Sequence, residues 1–580
     1  MSSVYSAREH LFTHMQETPS PNGLCHIVQL FRDYAGKTDF ACFRDTCKTI
    51  RSQTAEERLI VWKKTTVFMN PECIKTIKIR FRFYDLSFLP VGLRKLDLGL
   101  IENSLGNIVS FPSSLQVLKF GYEFNQPIHP GILPNGLQKL YFSHDFDQPL
   151  ELGVLPSGLQ ELYFDNDFDQ PIHPGVLPSG LRQLRFGCEF NQPLQSGVLP
   201  DSLQVLKFGY EFNQPIHPGV LPDGLKELVL GDNFNRPIHS GVLPSGLKEL
   251  VLGDNFNQPI HLGIFPSGLR QLRFGWYFNQ PIQSGVLPSG LRQLIFGCEF
   301  NQPLQSGVLS NGLQYLECGY RFNQPIYSGV LPNGLRQLRF GYKFNQPLQS
   351  GVLPDGLQVL NLGNNFNRPI HPGIFPNGLQ VLRFGYRFNQ HINSGVLPDS
   401  LQVLKFDGIF NHPIGAGVLP DGLRELKFGC RFNQPLQSEV LPNGLQVLKL
   451  GDKFNQPLQS EVLPDGLQVL RFFGSFNKPI EVGVLPSGLK ELTFSNMFNH
   501  PIGAGVLPSG LKKIRFSNMF NHPIEAGILP DGLQVLKFGY NFNHNIEVGV
   551  LPTSLRKLQL PKSECTPLNA IPSRTKLIHF

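Results

Sequence analysis

The chain has 580 residues and a formal net charge of +7, with 58 Gly, 49 Pro and 48 Phe beside only 2 Trp. Residues 1–88 carry a net charge of +4, so the other 492 residues are nearly neutral and lack the one-signed field of a nucleic-acid binder. The nine Cys are scattered without a C-x-x-C pair, which indicates neither a disulfide framework nor a zinc site. No apolar run approaches the roughly 18 residues of a membrane-spanning helix.

The N-terminal tail, residues 1–19, carries charges where a signal peptide would have its apolar stretch. Scattered Cys are typical of a reducing compartment. We therefore expect a soluble intracellular protein of the cytoplasm, without a cofactor.

Residues 20–66 are predicted to form a small helical module. Ile27, Leu30, Phe31 and Tyr34 follow the i, i+3, i+4, i+7 spacing of one helix face, and a second apolar set begins at Phe40.

The run from Ile27 to Lys48, with Trp62 downstream, resembles an F-box. That resemblance implies docking on the Skp1 adaptor of a cullin-type ubiquitin ligase, while a repeat domain behind the module holds the substrate. The residues it would place against the adaptor are Ile27, Leu30, Phe31, Tyr34, Phe40 and Phe43. The usual Leu-Pro opening is replaced by Pro21-Asn22-Gly23-Leu24. The alternative is a helical cap that only covers the end of the repeats.

Residues 67–88 are expected to form a linker and a capping strand. Apolar and basic residues alternate over the seven residues from Ile77 to Phe83, which is the pattern of a strand with one face covered.

Residues 89–550 are 21 copies of one 22-residue unit without insertion or deletion. Counted from its first Leu as repeat position 1, the unit reads L-P-x-G-L-x-x-L-x-F-G-x-x-F-N-Q-P-I-x-x-G-V. Self-similarity at a fixed period of this length is typical of a solenoid, in which each unit stacks on its neighbours.

Positions 7–10 alternate in polarity, so they predict a short strand with positions 8 and 10 inward and positions 7 and 9 outward. Pro and Gly interrupt the remainder, which predicts extended or turn-like structure on the return side. The fold class is therefore a mainly β repeat solenoid, a leucine-rich-repeat-like stack of 22-residue coils with one parallel sheet, plus the N-terminal helical module.

Position 15 is almost always Asn, and we expect a buried Asn ladder in which each side chain bonds the backbone of the adjacent coil. Representative members are Asn125, Asn191, Asn213, Asn235, Asn257 and Asn279.

The signature Phe124-Asn125-Gln126-Pro127-Ile128 resembles the FNIP repeat family. That resemblance implies a leucine-rich-repeat-like solenoid, found mainly in amoebae and in large viruses that infect them; for a viral source, the compartment would be the host cytoplasm. Departures occur at Glu102, His391 and Asn545.

Residues 551–580 form irregular final units. The period slips from 22 to 20, and Ile571-Pro572 begins a half unit that we expect to end in one last strand, with Phe580 at position 10.

Different aromatic residues occupy the predicted core and a predicted binding face. Phe occupies positions 1, 10 and 14, whereas Tyr and Trp concentrate at positions 7, 9, 12 and 13, beside a row of Lys and Arg at position 9. Tyr, Trp and Arg are enriched in binding hot spots. The densest group, called here the central patch, is Arg273, Trp276, Tyr277, Tyr315, Tyr320, Arg321, Arg339, Tyr342, Lys343, Arg383, Tyr386 and Arg387.

We expect the central patch to bind an acidic or phosphorylated segment of a target protein. Position 19 is His in three successive units, His217, His239 and His261, but no Asp, Glu or Cys joins these three there, so no metal site is expected. No catalytic motif occurs. The sequence thus predicts a non-enzymatic substrate-recognition subunit of a ubiquitin ligase, which binds neither nucleic acid nor membrane. The competing prediction is a binding or scaffolding solenoid with no ubiquitin link.

Overall fold

The computed structural model describes residues 58–61, 76–79, 89, 91–99, 110–561 and 570–579. The chain divides into two compact units, an N-terminal unit that ends at Leu225 and a C-terminal unit that begins at Lys226. In the described part of the chain, no helix is long and apolar enough to span a membrane.

Each unit is built from short parallel strands. The strands of the N-terminal unit are β1 Arg58–Val61, β2 Thr76–Ile79, β3 Lys95–Asp97, β4 Val117–Lys119, β5 Lys139–Tyr141, β6 Glu161–Tyr163, β7 Gln183–Arg185 and β8 Val205–Lys207. The strands of the C-terminal unit are β9 Glu227–Val229, β10 Glu249–Val251, β11 Gln271–Arg273, β12 Gln293–Ile295, β13 Tyr315–Glu317, β14 Gln337–Arg339, β15 Val359–Asn361, β16 Val381–Phe384, β17 Val403–Phe406, β18 Glu425–Lys427, β19 Val447–Leu450, β20 Val469–Phe472, β21 Glu491–Thr493, β22 Lys513–Arg515, β23 Val535–Lys537, β24 Lys557–Leu560 and β25 Lys576–His579.

Within each unit, successive strands of the repeats pair in parallel with a register of one repeat, as Lys139 opposite Glu161 illustrates. Most strands cover positions 7–9, and β16, β17, β19, β20 and β24 continue to position 10. Position 8 is buried from β3 to β24, as at Leu140, which is 0% exposed, while positions 7 and 9 are half-buried or exposed. The leucine-rich-repeat-like parallel β-solenoid predicted from the sequence is confirmed.

Stacked phenylalanines form the core. Within a coil, the rings at positions 10 and 14 stack with centroids 3.7 to 4.3 Å apart, as for Phe296 and Phe300 at 3.8 Å. Between adjacent coils, the position 14 rings repeat every 5.9 to 6.3 Å, as for Phe300 and Phe322 at 6.1 Å. Because Phe buries a large apolar area and favours offset stacking, the same residue recurs on the inside of nearly every coil.

The return side of each described coil consists of turns and extended segments, which agrees with its Pro and Gly content. Position 21 sits in the left-handed region of backbone space, with φ between 71° and 89° at the repeat glycines. Only Gly adopts that region without strain. Glu439 and Glu461 occupy it as well, with φ of 62° and 66°.

The structure corrects two boundaries. Arg58–Val61 lies within the span predicted as a helical module, but it forms β1 and pairs in parallel with β2, because apolar and β-branched residues there suit a strand. At the other end, Lys576 pairs with Lys557, a step of 19 residues, so Leu577 rather than Ile578 takes position 8. Of the predicted capping strand, β2 covers Ile77 to Ile79, and the remainder lies outside the described residues, as does Phe580.

Candidate binding face

The central patch lies on one side of the C-terminal unit, on strands β11, β13, β14 and β16 and on the turns that follow them. Its strand residues point outward because they occupy positions 7 and 9. Its turn residues occupy positions 12 and 13, just after each chain leaves the sheet. The side chains most exposed among its aromatic residues are Trp276, Tyr277, Tyr320, Tyr342 and Tyr386, at 36 to 53%.

Two of these aromatic rings contact each other. Tyr320 and Tyr342 occupy the same position in adjacent coils, and their rings stack with centroids 4.7 Å apart. The Lys343 ammonium lies 5.7 Å from the centroid of the Tyr342 ring, within the range of a cation–π contact. The backbone N–H of Trp276 donates to Asp254 Oδ1 at 3.2 Å, which fixes the turn that presents the indole.

Three of the arginines in the central patch already have carboxylate partners within the protein. Arg321 lies 2.9 Å from Glu299, Arg383 lies 3.6 Å from Asp407, and Arg339 lies 3.9 Å from Glu317. All six side chains are partly exposed, so each pair is weak on its own. These carboxylates nevertheless compete with any anion that a partner would bring to the same three arginines.

Tyr315 is the aromatic residue of the central patch that is least accessible to a partner. It is half-buried, its hydroxyl donates to the Glu317 carboxylate, and Arg339 lies 5.6 Å from its ring centroid. Burial, followed by the hydrogen bond and charge of Glu317, raises the pKa of Tyr315 to about 12. The phenol therefore stays protonated and acts as a hydrogen-bond donor at neutral pH.

Sequence reasoning missed the ion pairs that neutralise arginines of this face. Glu299 and Arg321 share position 13 in adjacent coils, so aligning the coils in register would have found that pair. Asp407 was harder to find, because it stands at position 11, where most coils have Gly, and its carboxylate reaches position 9 on both sides through Arg383 and Lys427.

The Asn side chains at position 15 link successive coils. Asn301 Oδ1 accepts from the backbone N–H of Asn323 at 2.8 Å and from Gln324 Nε2 at 3.3 Å, and the same bonds recur along both units. The predicted burial is wrong, however. Asn125 and Asn235 are exposed, and Asn191, Asn213, Asn257 and Asn279 are only half-buried, because position 15 follows the inward Phe at a corner of the coil.

One cluster in the N-terminal unit has the residue types of a metal site. His144 Nδ1 lies 2.8 Å from Asp145 and 3.8 Å from Asp167, and these ligand atoms all lie within 4.8 Å of one another. Asp167 also accepts a hydrogen bond from Asn166. This group is the one such cluster in the described part of the chain. It was not predicted from the sequence, because the histidines considered there as metal ligands are those at position 19.

Ile27, Leu30, Phe31, Tyr34, Phe40 and Phe43, the residues predicted to face an adaptor, lie outside the described residues.

The chain matches the family model described as FNIP repeat in thirteen segments. The matched residues are 103–145, 124–167, 146–189, 168–211, 190–233, 212–255, 256–299, 300–343, 344–387, 388–431, 432–475, 476–519 and 520–563. None of the curated proteins matches the chain in sequence.

Solved structures also resemble it. The crystal structure of CroV588, described as a novel circular LRR protein structure, is 36% identical with a TM-score of 0.74, and the alignment covers 88% of this chain and 86% of that one. The crystal structure of the TLR13–ssRNA13 complex is 16% identical with a TM-score of 0.58, covering 87% of this chain and 78% of that one. At that identity the second likeness is one of fold alone.

Proposed function

Because the chain belongs to the FNIP repeat family, with a leucine-rich-repeat-like solenoid, we propose that it is a non-catalytic binding protein and that its central patch holds a target protein. The observation that carries this proposal is the exposed set of Trp276, Tyr277, Tyr320, Tyr342 and Tyr386, which follow β11, β13, β14 and β16 on one side of the unit. Large aromatic side chains with a polar end supply much of the binding energy in protein interfaces.

The target carries an acidic or phosphorylated segment beside the apolar groups that the rings contact. Arg273, Lys343 and Arg387 support this part of the proposal, because they are exposed and have no carboxylate partner among the described residues. Arg321, Arg339 and Arg383 contribute less, since binding an anion there means exchanging one carboxylate for another. The aromatic rings therefore provide most of the affinity, and the three available cations select for negative charge.

The N-terminal segment couples the bound target to a ubiquitin ligase in the cytoplasm. In this proposal Ile27, Leu30, Phe31, Tyr34, Phe40 and Phe43 contact a Skp1-type adaptor, and the protein contributes proximity rather than chemistry. The support is the resemblance of residues 20–66 to an F-box.

A second candidate function is a binding scaffold without a ubiquitin link. The observation in its favour is that Arg58–Val61, near the end of the same segment, pairs with β2 as part of the sheet. A segment that continues the sheet serves as a cap whether or not it binds an adaptor.

Purified Skp1 and the full chain separate the two functions. The ligase function predicts a complex by size-exclusion chromatography and its loss in a Leu30→Ala/Phe31→Ala variant. If the wild-type chain forms no complex with Skp1, the protein acts as a scaffold.

The central patch is tested by quantitative affinity capture with the full chain. The Trp276→Ala/Tyr320→Ala variant should retain at least about tenfold less of the specific partner, since each hot-spot aromatic residue contributes about 2 kcal/mol. Tyr122→Ala/Tyr210→Ala is the matched control, because both residues occupy position 12 and are about half exposed, at 50% and 51%. Equal capture by the patch variant and the wild type would show that the central patch binds nothing.

A further inference from the structure

The last four strands of the C-terminal unit carry a second basic surface, separate from the central patch. Its five cations occupy outward positions on β22 to β25. Arg515 stands opposite Lys537 across β22 and β23, and Lys557 stands opposite Lys576 across β24 and β25. Since neighbouring parallel strands lie about 4.8 Å apart, the surface is about 14 Å wide. We call this set the C-terminal basic face: Lys513, Arg515, Lys537, Lys557 and Lys576.

In the coils of β17 to β19, on the same side of this unit, acidic residues neutralise the lysines of position 9. Glu425 lies 3.2 Å from Lys405 and 2.8 Å from Lys449. Burial raises the pKa of the Glu425 carboxyl, but hydrogen bonds from these two lysines outweigh it and leave the pKa lowered. Asp407 holds Lys427 in the same way at 3.0 Å.

The C-terminal basic face lacks such compensation. Its one ion pair joins Lys513 to Glu491 at 3.2 Å, and Glu491 is shared with Arg471 at 3.4 Å. No carboxylate of the described residues lies within ion-pair distance of its other four cations. Burial lowers the pKa of Lys537, and repulsion from Lys557, Arg515 and Lys513 lowers it further. Positive charge is therefore concentrated here at a cost to the folded state.

An apolar row lies beside these charges. Four successive coils expose Phe473, Met497, Met519 and Tyr540 at 41, 51, 42 and 68%, each in the turn that follows strands β20 to β23. Large apolar side chains exposed on neighbouring coils mark an interaction surface. Methionine is flexible and polarizable, and it suits contacts with apolar side chains of varied shape.

We propose that the C-terminal basic face binds an extended acidic segment of a partner protein, whose apolar side chains rest on Met497, Met519 and Tyr540. At about 3.3 Å per residue, four or five extended residues cross the width of the face. Alternating acidic and apolar residues would direct charge to the lysines and apolar groups to the turns. This site does not require the central patch to bind anything.

The mixed chemistry favours a peptide over single-stranded nucleic acid. Nucleic-acid grooves combine positive charge with aromatic rings on which successive bases stack. The row beside this face offers two methionines between its two aromatic residues, and those aromatic residues are three coils apart. The chain's own N-terminal residues 1–88, with a net charge of +4, do not supply an acidic segment.

The test uses the full chain and a fluorescein-labelled peptide of alternating Glu and Leu, about ten residues long, measured by fluorescence anisotropy. Lys537→Gln/Lys557→Gln should weaken binding by about fivefold, because it removes two charge contacts from half-buried lysines of this face. The matched control is Lys405→Gln/Lys449→Gln, which removes the same charge from the same side of the unit at cations that Glu425 already neutralises. The control should bind like the wild type.

A Met497→Ser/Met519→Ser variant distinguishes the apolar contact from charge alone. It should weaken binding of the Glu-Leu peptide but leave binding of an all-Glu peptide unchanged. Circular dichroism establishes that each variant is folded, and the measurements are repeated in a Trp276→Ala/Tyr320→Ala background, so that peptide bound at the central patch does not contribute to the comparison.

Three outcomes overturn the proposal. The first is the absence of an anisotropy change up to about 1 mM peptide, because a dissociation constant above about 1 mM would be too weak for a specific site. The second is an equal loss in the Lys537→Gln/Lys557→Gln variant and its control, which would reflect net charge only. The third is tighter binding of oligo(dT), or of phosphatidylserine vesicles, than of the peptide, with the same dependence on Lys537 and Lys557.

Discussion

The inner and outer rows of the solenoid obey opposite rules. On the inside, position 14 repeats Phe from coil to coil, and the rings are buried and stacked at about the same spacing throughout each unit. On the outside, position 13 changes from Glu299 to Arg321 and Lys343 within three coils. A parallel stack places each side chain next to its counterpart in the adjacent coil. Identical neighbours stabilise the structure when they are aromatic, and they repel one another when they are charged.

The residues at the outward positions therefore vary from coil to coil, and each charged side chain there either pairs with an opposite charge or remains available to a partner. Glu425 and Asp407 balance the middle of the C-terminal unit. The C-terminal basic face is left with one shared acid, Glu491. Both surfaces that we propose as binding sites therefore lie where the outward residues depart from the repeat pattern.

The largest effect should follow from breaking an inner row. Phe300 is 0% exposed and lies between Phe278 at 6.0 Å and Phe322 at 6.1 Å, so Phe300→Ala leaves a cavity that neighbouring coils cannot fill. We expect a loss of about 3 to 5 kcal/mol in unfolding free energy. Tyr327→Ala is the outer control: its side chain is 63% exposed, and the change should stay within about 0.5 kcal/mol.

Because coils contact only their neighbours, the loss should be local. Hydrogen–deuterium exchange should speed up in β12 and the adjacent strands more than in β20. Uniform acceleration across the C-terminal unit would contradict this expectation.

An intermediate effect should follow from breaking the Asn row at the corner. Asn301→Ala removes the Oδ1 acceptor of the Asn323 N–H, while Gln324 Nε2 keeps its bond to the Asn301 backbone carbonyl at 3.0 Å, and we expect a loss of about 1 to 2 kcal/mol by denaturant unfolding. Asn301→Asp is the matched control, since Asp169 accepts the equivalent bond from Asn191 at 2.8 Å. If the Asp variant were as unstable as the Ala variant, the side-chain oxygen would not be the stabilising feature.

The smallest effect should be a gain. Glu439 has a left-handed backbone, φ 62°, where nearly every other coil has Gly. Replacing Glu439 by Gly removes a backbone strain of about 1 to 2 kcal/mol. Gly loses more conformational entropy on folding than Glu, which costs about 0.5 to 1 kcal/mol. We therefore expect Glu439→Gly to raise the free energy of unfolding by about 0.5 to 1 kcal/mol. Gly417→Glu should shift the denaturant midpoint in the opposite direction. A destabilised Glu439→Gly variant would show that the Glu side chain contributes more than its backbone costs.

The repeat period, the strands and the buried phenylalanines could all be predicted from the sequence, because each recurs in about twenty copies and noise in one copy is corrected by the others. Prediction failed where copies are few. The strand at Arg58–Val61 was assigned to a helical module, and the register of β25 was off by one residue. The central patch was found as a set of residue types, but not the ion pairs of Arg321, Arg339 and Arg383, since each pair joins side chains of different coils and Asp407 is a rare acid at position 11.

By itself, the sequence determined the coil: its length, its inward and outward positions and its turns, all of which depend on residues close along the chain. The contacts between adjacent coils could be seen only in the tertiary structure. It explains the Gly at position 11, because a Cβ on Gly297 would lie 1.6 Å from the Gly275 carbonyl oxygen. It also decided which cations are neutralised and which are not. Both depend on atoms of adjacent coils, which lie about one repeat apart in the chain and meet only when the coils are stacked.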